Sequence, residues 1–351
     1  MKRPFALIGI AYLSVQAALF YLESDLAAAI LTAVCFIGTI VSLFILKNRN
    51  LRHTVLCFCL TAAFASTIFS GYNIFVKQPI VDKYSEREIY VTATVLEQPT
   101  VQYDTYRYLI ETDSINGKIE KLKICLSTIN ELNVEEFDRI SCVLPLKECT
   151  KSQMIADGAF LQASVNKNFA YIVKKTDDKP LYYQAVKIRE NFADSFEQNM
   201  SQDCASLCRA VLLGEKTALS QEIQNDFTRC GVSFLIVVSG MHLAIISSFV
   251  FLCIKKIIKN RVLRSMIMLM CAFSFMAVTG FAPSVVRAGV MLAVVYSGKM
   301  FMRKGDSLNS LGIAALILTV PNPTAVADVG MLLSFTATLG IILWARKSPI
   351  Y

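Results

Sequence analysis

Apolar runs separated by short polar punctuation occupy both ends of the chain, whereas the middle alternates on a much shorter period. The runs cover residues 4–22, 25–46 and 54–76, then resume at 232–254, 262–279, 284–302, 308–320 and 325–344. Crossing a bilayer as a helix takes about 20 predominantly apolar residues, so the pattern predicts eight spans. The first run follows Lys2 and Arg3 and imitates a secretory leader, but a second begins almost at once. The pair is predicted as a helical hairpin turned at Glu23, Ser24 and Asp25. The seventh run is short and bracketed by Asp306, Pro321 and Pro323, which predicts a broken or re-entrant helix.

Between the hydrophobic blocks, residues 77–180 read as strands. Segments 88–97, 106–115, 120–129, 139–148 and 160–174 are rich in Val, Ile, Thr and Tyr with partial alternation, and Asn116–Gly117 is a hairpin signal. Five strands suit a small OB-like barrel, an architecture that often holds nucleic-acid strands in a basic, aromatic-studded groove. Tyr103, Tyr106, Arg107 and Tyr108 interleave aromatic and basic groups, but alternate strand residues point to opposite faces, so strand packing competes with a stacking platform. Residues 181–200 are predicted as an amphipathic helix with Tyr182, Val186, Phe192 and Phe196 among charges, lying on or near the outer membrane surface. The expected fold class is a polytopic α-helical membrane protein with an extracytoplasmic all-β, OB-like barrel domain inserted after the third span. Its parts are N-terminal transmembrane helices (1–76), the β domain (77–180), linker helices (181–231) and a second transmembrane domain (232–351).

Composition agrees with the pattern: 54% of the 351 residues are hydrophobic and only 18% charged, which excludes an ordinary water-soluble chain. The 35 basic residues outnumber the 27 acidic ones, and their placement fixes a direction. Lys2 and Arg3, then Lys47, Arg49 and Arg52, then Lys255, Lys256, Lys259, Arg261 and Arg264, then Arg303 and Lys304, then Arg346 and Lys347 fall at every second connection. The intervening turns at 23–25, 280–283 and 321–323 hold no Lys or Arg. Basic loops stay in the cytoplasm, so the N-terminus is predicted inside and the β domain outside. Residues 77–200 carry 16 basic against 19 acidic side chains, so that segment is no global electrostatic funnel for a polyanion.

Several chemistries are disfavoured by residue supply. The two histidines, His53 and His242, lie in or beside apolar runs, which leaves no basis for a zinc hydrolase; no metal and no cofactor are expected. Among the eleven cysteines, those in apolar runs read as packing residues, and none in the polar middle has C-x-x-C spacing. Cys125, Cys142 and Cys149 form a disulfide among themselves if their region faces an oxidising compartment, and otherwise pack as thiols.

The junction of polar and apolar sequence at 214–246 is where chemistry concentrates. Ser220 is placed to cap a short helix, with Glu222 in its first turn, Arg229 in its last and Gly231 as a stop. The following run is interrupted by Ser239, Gly240 and His242, and a helix opened inside a membrane needs protein or water to meet its freed backbone groups. His242 and Arg287 are ionisable groups at membrane depth, which is a functional signal. The competing explanations are an imidazole bonded between helices and an arginine snorkelling to the outer surface. Asp328 sits near the outer end of the eighth run, where capping competes with function. A Gly-x-Ser-x-Gly elbow is absent and Ser239 has no neighbouring acid, so no catalytic residue is expected.

With G-E-K-T-A-L-S from Gly214, V-S-G-M-H-L from Val238, P-S-V-V-R-A from Pro283 and D-V-G-M-L-L-S-F from Asp328, the chain resembles the ComEC-type competence proteins, bacterial inner-membrane channels for uptake of transforming DNA. The resemblance implies N-terminal spans, an extracytoplasmic OB-like domain and a multi-span competence domain, in that order. It also implies a multi-pass cell-membrane location and single-stranded DNA as partner, alongside membrane lipid, competence-machinery proteins and further copies of the chain. Carried over residue by residue, the DNA pathway falls on Ser239, Gly240, His242, Pro283, Arg287, Asp328 and Ser334, with Gly214, Glu215 and Lys216 as a further motif and Gly330 and Phe335 flanking the last. Where the family more usually has Phe-Gln before Leu-Ser, this chain has Met331 and Leu332, which removes a polar side chain. Relatives continue beyond the position of Tyr351 through further spans and often into a metallo-β-lactamase-like nuclease domain, so a truncated, split or fragmentary chain is expected, and no enzyme within it.

Without that resemblance, the residues alone equally describe a small-solute transporter, although no inverted repeat is apparent by eye. A membrane scaffold with an outer partner-binding domain also fits, but leaves the intramembrane polar groups unexplained. The orientation is testable by fusion: a reporter active only outside the cytoplasm should work when joined near Gly117 and be silent near Lys259. The reverse pattern would overturn the orientation.

Overall fold

The computed structural model describes residues 3–347, apart from 23–29, 31, 36, 41–48, 98, 103–104, 167–168, 176–181, 216–218, 237 and 303–304. In chain order, α1 (Pro4–Leu22) precedes α2 (Arg49–Tyr72), which passes through a π turn at Asn73–Lys77 into α3 (Gln78–Tyr84). Then come β1 (Arg87–Val95), β2 (Thr100–Gln102), β3 (Thr105–Ile115), β4 (Lys118–Ile119), β5 (Lys123–Thr128) and β6 (Arg139–Glu148), followed by α4 (Ser152–Ala156), β7 (Leu161–Val165) and β8 (Tyr171–Lys174). The remainder is helical: α5 (Tyr183–Asn199), α6 (Gln202–Cys208), α7 (Gln221–Arg229), α8 (Gly240–Ile257), α9 (Arg261–Val278), α10 (Pro283–Met300), α11 (Ser307–Thr319) and α12 (Val329–Lys347).

Among the described residues four helical stretches are long and apolar enough to cross a membrane, at Pro4–Leu22, Leu51–Tyr84, Gly240–Ile257 and Arg261–Val278. The pattern had predicted eight. The run at 25–46 lies largely outside the described residues, and α11 and the Val329–Trp344 part of α12 are shorter apolar stretches. The expected span from 232 is corrected. A 3-10 turn occupies Ser233–Leu235, Ser239 is extended, and the helix starts at Gly240. The predicted strand at 160–174 is likewise two strands, β7 and β8, with residues between them outside the described set.

The chain divides into two compact units. One comprises Met1–Asp82, Thr150–Gly158 and Val290–Tyr351. Within it α1 packs along α11, where Gly9 and Gly312 face each other so closely that a Cβ on either would fall on the other helix's backbone. Small residues permit that approach, and close backbone packing is how helices associate where lipid supplies no hydrophobic drive. Asp306 caps α11 by accepting from the backbone N–H groups of Leu308 and Asn309, each at 3.1 Å, and pairs with Arg3 Nε at 2.5 Å. Burial works to raise the Asp306 carboxyl, but Arg3 and those N–H groups together hold it below its usual range. Short α4 belongs to this unit through Asn322, whose Nδ2 donates to Ala156 O at 2.6 Å, and Thr324, whose Oγ1 donates to Ile155 O at 2.9 Å.

The other unit comprises Lys83–Cys149 and Ala159–Gly289 and contains the β domain. The sheet runs β1-β3-β5-β7-β6, and β6 pairs again with β1, so five strands close into a barrel. The β5–β7 ladder is parallel and the other ladders are antiparallel. Val91, Ala93, Ile110, Ile124, Ile140 and Ala163 are fully buried, as period-two alternation around a closed sheet requires. Asn116 and Gly117 turn β3 into β4 with positive φ at both positions, as the hairpin signal predicted. Tyr108 is inside: it is 1% exposed and its hydroxyl accepts from Leu132 N at 2.8 Å, which removes it from any stacking platform. Tyr103 lies outside the described residues. Cys125, Cys142 and Cys149 are buried thiols rather than a disulfide. The register explains this: β5 and β6 are separated by β7, and Cys125 sits opposite Leu109 and Gln162 while Cys142 sits opposite Val91 on the barrel's inner face. Burial pushes the Cys142 thiol up to about 11.

An added methyl on a helical glycine normally raises stability by about 0.5–1 kcal/mol. Gly312→Ala should reverse that sign, because its methyl would meet the Phe5 carbonyl, and overpacking of this kind costs roughly 1–3 kcal/mol. Thermal denaturation in detergent should show Gly9→Ala and Gly312→Ala below wild type. Gly298→Ala, which meets nothing within 4 Å, should be unchanged or more stable.

Candidate functional site

Three of the four motif segments come together in the second unit. Ser239 is the N-cap of α8, and its backbone N–H donates to His242 Nδ1 at 3.1 Å, with Ser239 Oγ 3.0 Å from the same nitrogen. His242 thus fills the place that a Glu or Gln takes in a capping box. Nδ1 is the acceptor, so the ring N–H sits on Nε2. The imidazole is a local cap rather than a bridge between helices.

Gly240 lets this helix start approach α10: a Cβ there would lie 2.9 Å from that of Ala288. Ser284 Oγ donates to Val238 O at 2.6 Å and ties the two helix N-termini together. Pro283 occupies the first position of α10, where its missing N–H costs nothing. Arg287, one turn further, is only 7% exposed, a burial at odds with snorkelling along a surface. Gly214 ends a π turn at Arg209–Leu213 with φ +88°, and a Cβ on it would touch Val238 Cγ2 and Thr279 O at 3.6 Å. The 214 segment therefore lies against both the α8 entry and the end of α9. An apolar cluster of Ala210, Leu219 and Ile236 backs the same region, with Ser220 capping α7 by accepting from Ile223 N at 3.3 Å, as predicted.

Glu215 is 5% exposed and faces two arginines. Arg209 Nη2 pairs with it at 2.9 Å and Arg189 Nε at 3.1 Å; Arg189 also pairs with Glu136, and Arg209 with Glu197. Burial pushes the Glu136 carboxyl up, with Arg189 pulling it back only in part. Burial opposes the charge on Arg189, but Glu136 and Glu215 more than restore it. Arg189, Glu136 and Arg209 were not identified from sequence. The available signal was spacing: the buried residues of α5 are Val186, Arg189 and Ala193, so a charge sits on the inward stripe, whereas Phe192, expected on the apolar side, is half exposed. Glu136, in a loop, offered no such signal.

Lys216 lies outside the described residues. Asp328 and Ser334 belong to the other unit. Asp328 Oδ1 accepts from Gly330 N at 2.9 Å at the start of α12, which is the capping alternative, and Ser334 is half-buried on that helix. Met331 and Phe335 are buried with Leu311, Ala314 and Ala315, so Met331 serves packing. No group of three or more His, Cys, Asp or Glu that could hold a metal ion occurs among the described residues. Chemically, the positive ends of two helix dipoles, an arginine one turn inside and an imidazole N–H favour a negatively charged group.

A family model described as "Competence protein" matches residues 211–350. The chain is 20% identical over 325 residues to ComE operon protein 3 of Bacillus subtilis (strain 168), covering 90% of this chain and 41% of that protein. It thus spans about two fifths of the length of the curated relative it matches. No solved structure matches. The three motif segments that meet around α8 and α10 all fall within the matched region, and on these findings the chain is similar to the competence proteins over that segment.

Proposed function

We propose that this chain forms part of an inner-membrane pathway through which single-stranded DNA enters the cell during natural competence, with its barrel outside and its N-terminus in the cytoplasm. Its role is passage, without a catalytic step of its own. The observation that carries the reading is the packing of the α8 and α10 N-termini, joined by Ser284 and Val238, with Arg287 one turn inside. That combination suits a phosphate group: helix N-termini stabilise anions, and a guanidinium binds phosphate through paired N–H groups. The closed five-stranded barrel, with its last two long strands crossed over, supports an OB type, although its buried Tyr108 gives no support for base stacking there. Family resemblance supplies the cargo, and competence-machinery proteins, lipid and further copies of the chain are the partners it brings.

Replacing Arg287 by Gln in the competent cell should lower transformation by roughly tenfold or more at unchanged membrane abundance, since a hydrogen bond to a charged group contributes about 1.5–3 kcal/mol. Arg287→Lys should restore only part, because a point charge lacks the fork. His242→Ala should also reduce uptake, through the loss of both its cap and its Nε2–H. Normal transformation by Arg287→Gln and His242→Ala at wild-type abundance would sink the pathway reading.

A further inference from the structure

Two tracks of contact run side by side from the barrel, across the start of α5, to the motif segments. One is ionic. Glu136, in the connection between β5 and β6, pairs with Arg189, and Arg189 pairs with Glu215 at 3.1 Å. All three side chains are at least nine-tenths buried, and Arg189 Nη1 also lies 3.0 Å from where a Cβ on Gly280 would be, at the turn that leads into α10. The other is aromatic. Phe137 meets Tyr182 edge-on at 5.8 Å between ring centroids, and Tyr182 meets Phe281 at 5.3 Å. Phe137 and Phe281, the two ends of this second track, both hold positive φ, at +70° and +52°. Left-handed backbone at a bulky residue is costly and persists only where surrounding packing over-determines it.

From this geometry we propose that Arg189, seconded by Tyr182, is a positioning residue that couples the barrel to the competence segment: it fixes the Gly214–Glu215 segment and the Gly280 turn to the β5–β6 connection. The inference does not depend on what crosses the membrane. Arginine suits the task because its delocalised charge faces two carboxylates from distant parts of the chain at once, Glu136 hydrogen-bonded to Nη2 and Glu215 in ion-pair range of Nε. A change at the β5–β6 connection is then felt at Glu215 through Arg189, with no direct contact between the two acids required.

Hydrogen exchange of the whole chain in detergent or nanodiscs tests this without any transport assay. Glu136→Gln should speed exchange in residues 209–215 and 278–286 by about tenfold while residues 124–128 of the barrel stay protected. In an Arg189→Gln background, already fast in those segments, adding Glu136→Gln should change them no further, because coupling between the two positions requires the arginine. Arg189→Lys should fall between wild type and Arg189→Gln. Should Arg189→Gln fail to fold, the single Glu136→Gln variant still decides, since it leaves the Arg189–Glu215 pair in place. Exchange at 209–215 that ignores Glu136→Gln, that responds equally with and without Arg189, or that rises together with 124–128 would overturn the proposal.

Discussion

A buried guanidinium sets the terms for the second unit. Moving an ion of that size out of water costs several kcal/mol even after relaxation, and pairing offsets the cost only where geometry is good on every side. Arg189 has Glu136 as a hydrogen-bonded partner and Glu215 in ion-pair range at 3.1 Å from Nε, and Glu215 in turn has Arg209. None of these groups is tolerable alone: removing one partner of a buried pair leaves an uncompensated charge and costs about 3–5 kcal/mol. The barrel loop, α5 and the 209–215 segment are therefore assembled together, which makes the ionic cluster a specification of arrangement more than a source of net stability.

The same economy of close packing governs the helices. Where α8 meets α10, a glycine and an alanine bring the backbones near enough for Ser284 to reach the Val238 carbonyl. In the helical unit Gly9 and Gly312 let α1 lie against α11, and Arg3 and Asp306 fasten the end of that pair. Side chains too small to bury much apolar surface still decide the packing, because backbone proximity turns dispersion and hydrogen bonding into the attractive terms.

Much of this was legible in the sequence, because alternation and hydropathy are local. The hairpin at Asn116–Gly117, the Ser220 cap and the long apolar helices α1, α8 and α9 follow from periodicity and end signals within a few residues. What failed did so for non-local reasons. The helix expected from 232 begins at Gly240, where Ser239 and His242 cap it, and the apolar residues ahead of it hold a 3-10 turn at Ser233–Leu235. Cys125 and Cys142 look like disulfide partners in a linear list, but β7 intervenes between their strands. Arg189 showed in the sequence only as a charge on the inward stripe of α5, because its partners lie in a loop before β6 and a segment after α6, and no short-range pattern encodes a pair of distant carboxylates.

Motif resemblance also does not say which residues hold the shape of a segment, whereas geometry does. Gly214 and Gly240 make room, Ser239 and the Nδ1 edge of His242 close the first turn of α8, and Glu215 anchors two arginines. Those roles consume the chemistry of these residues within the protein. Arg287 and the Nε2 edge of His242 place a guanidinium and a ring N–H beside two helix N-termini that are themselves tied together. A pathway for a polyanion needs such donors to be few and held in place, because each added charge strengthens binding and slows exit. The surrounding framework of caps, glycines and ion pairs holds those helix N-termini at fixed positions.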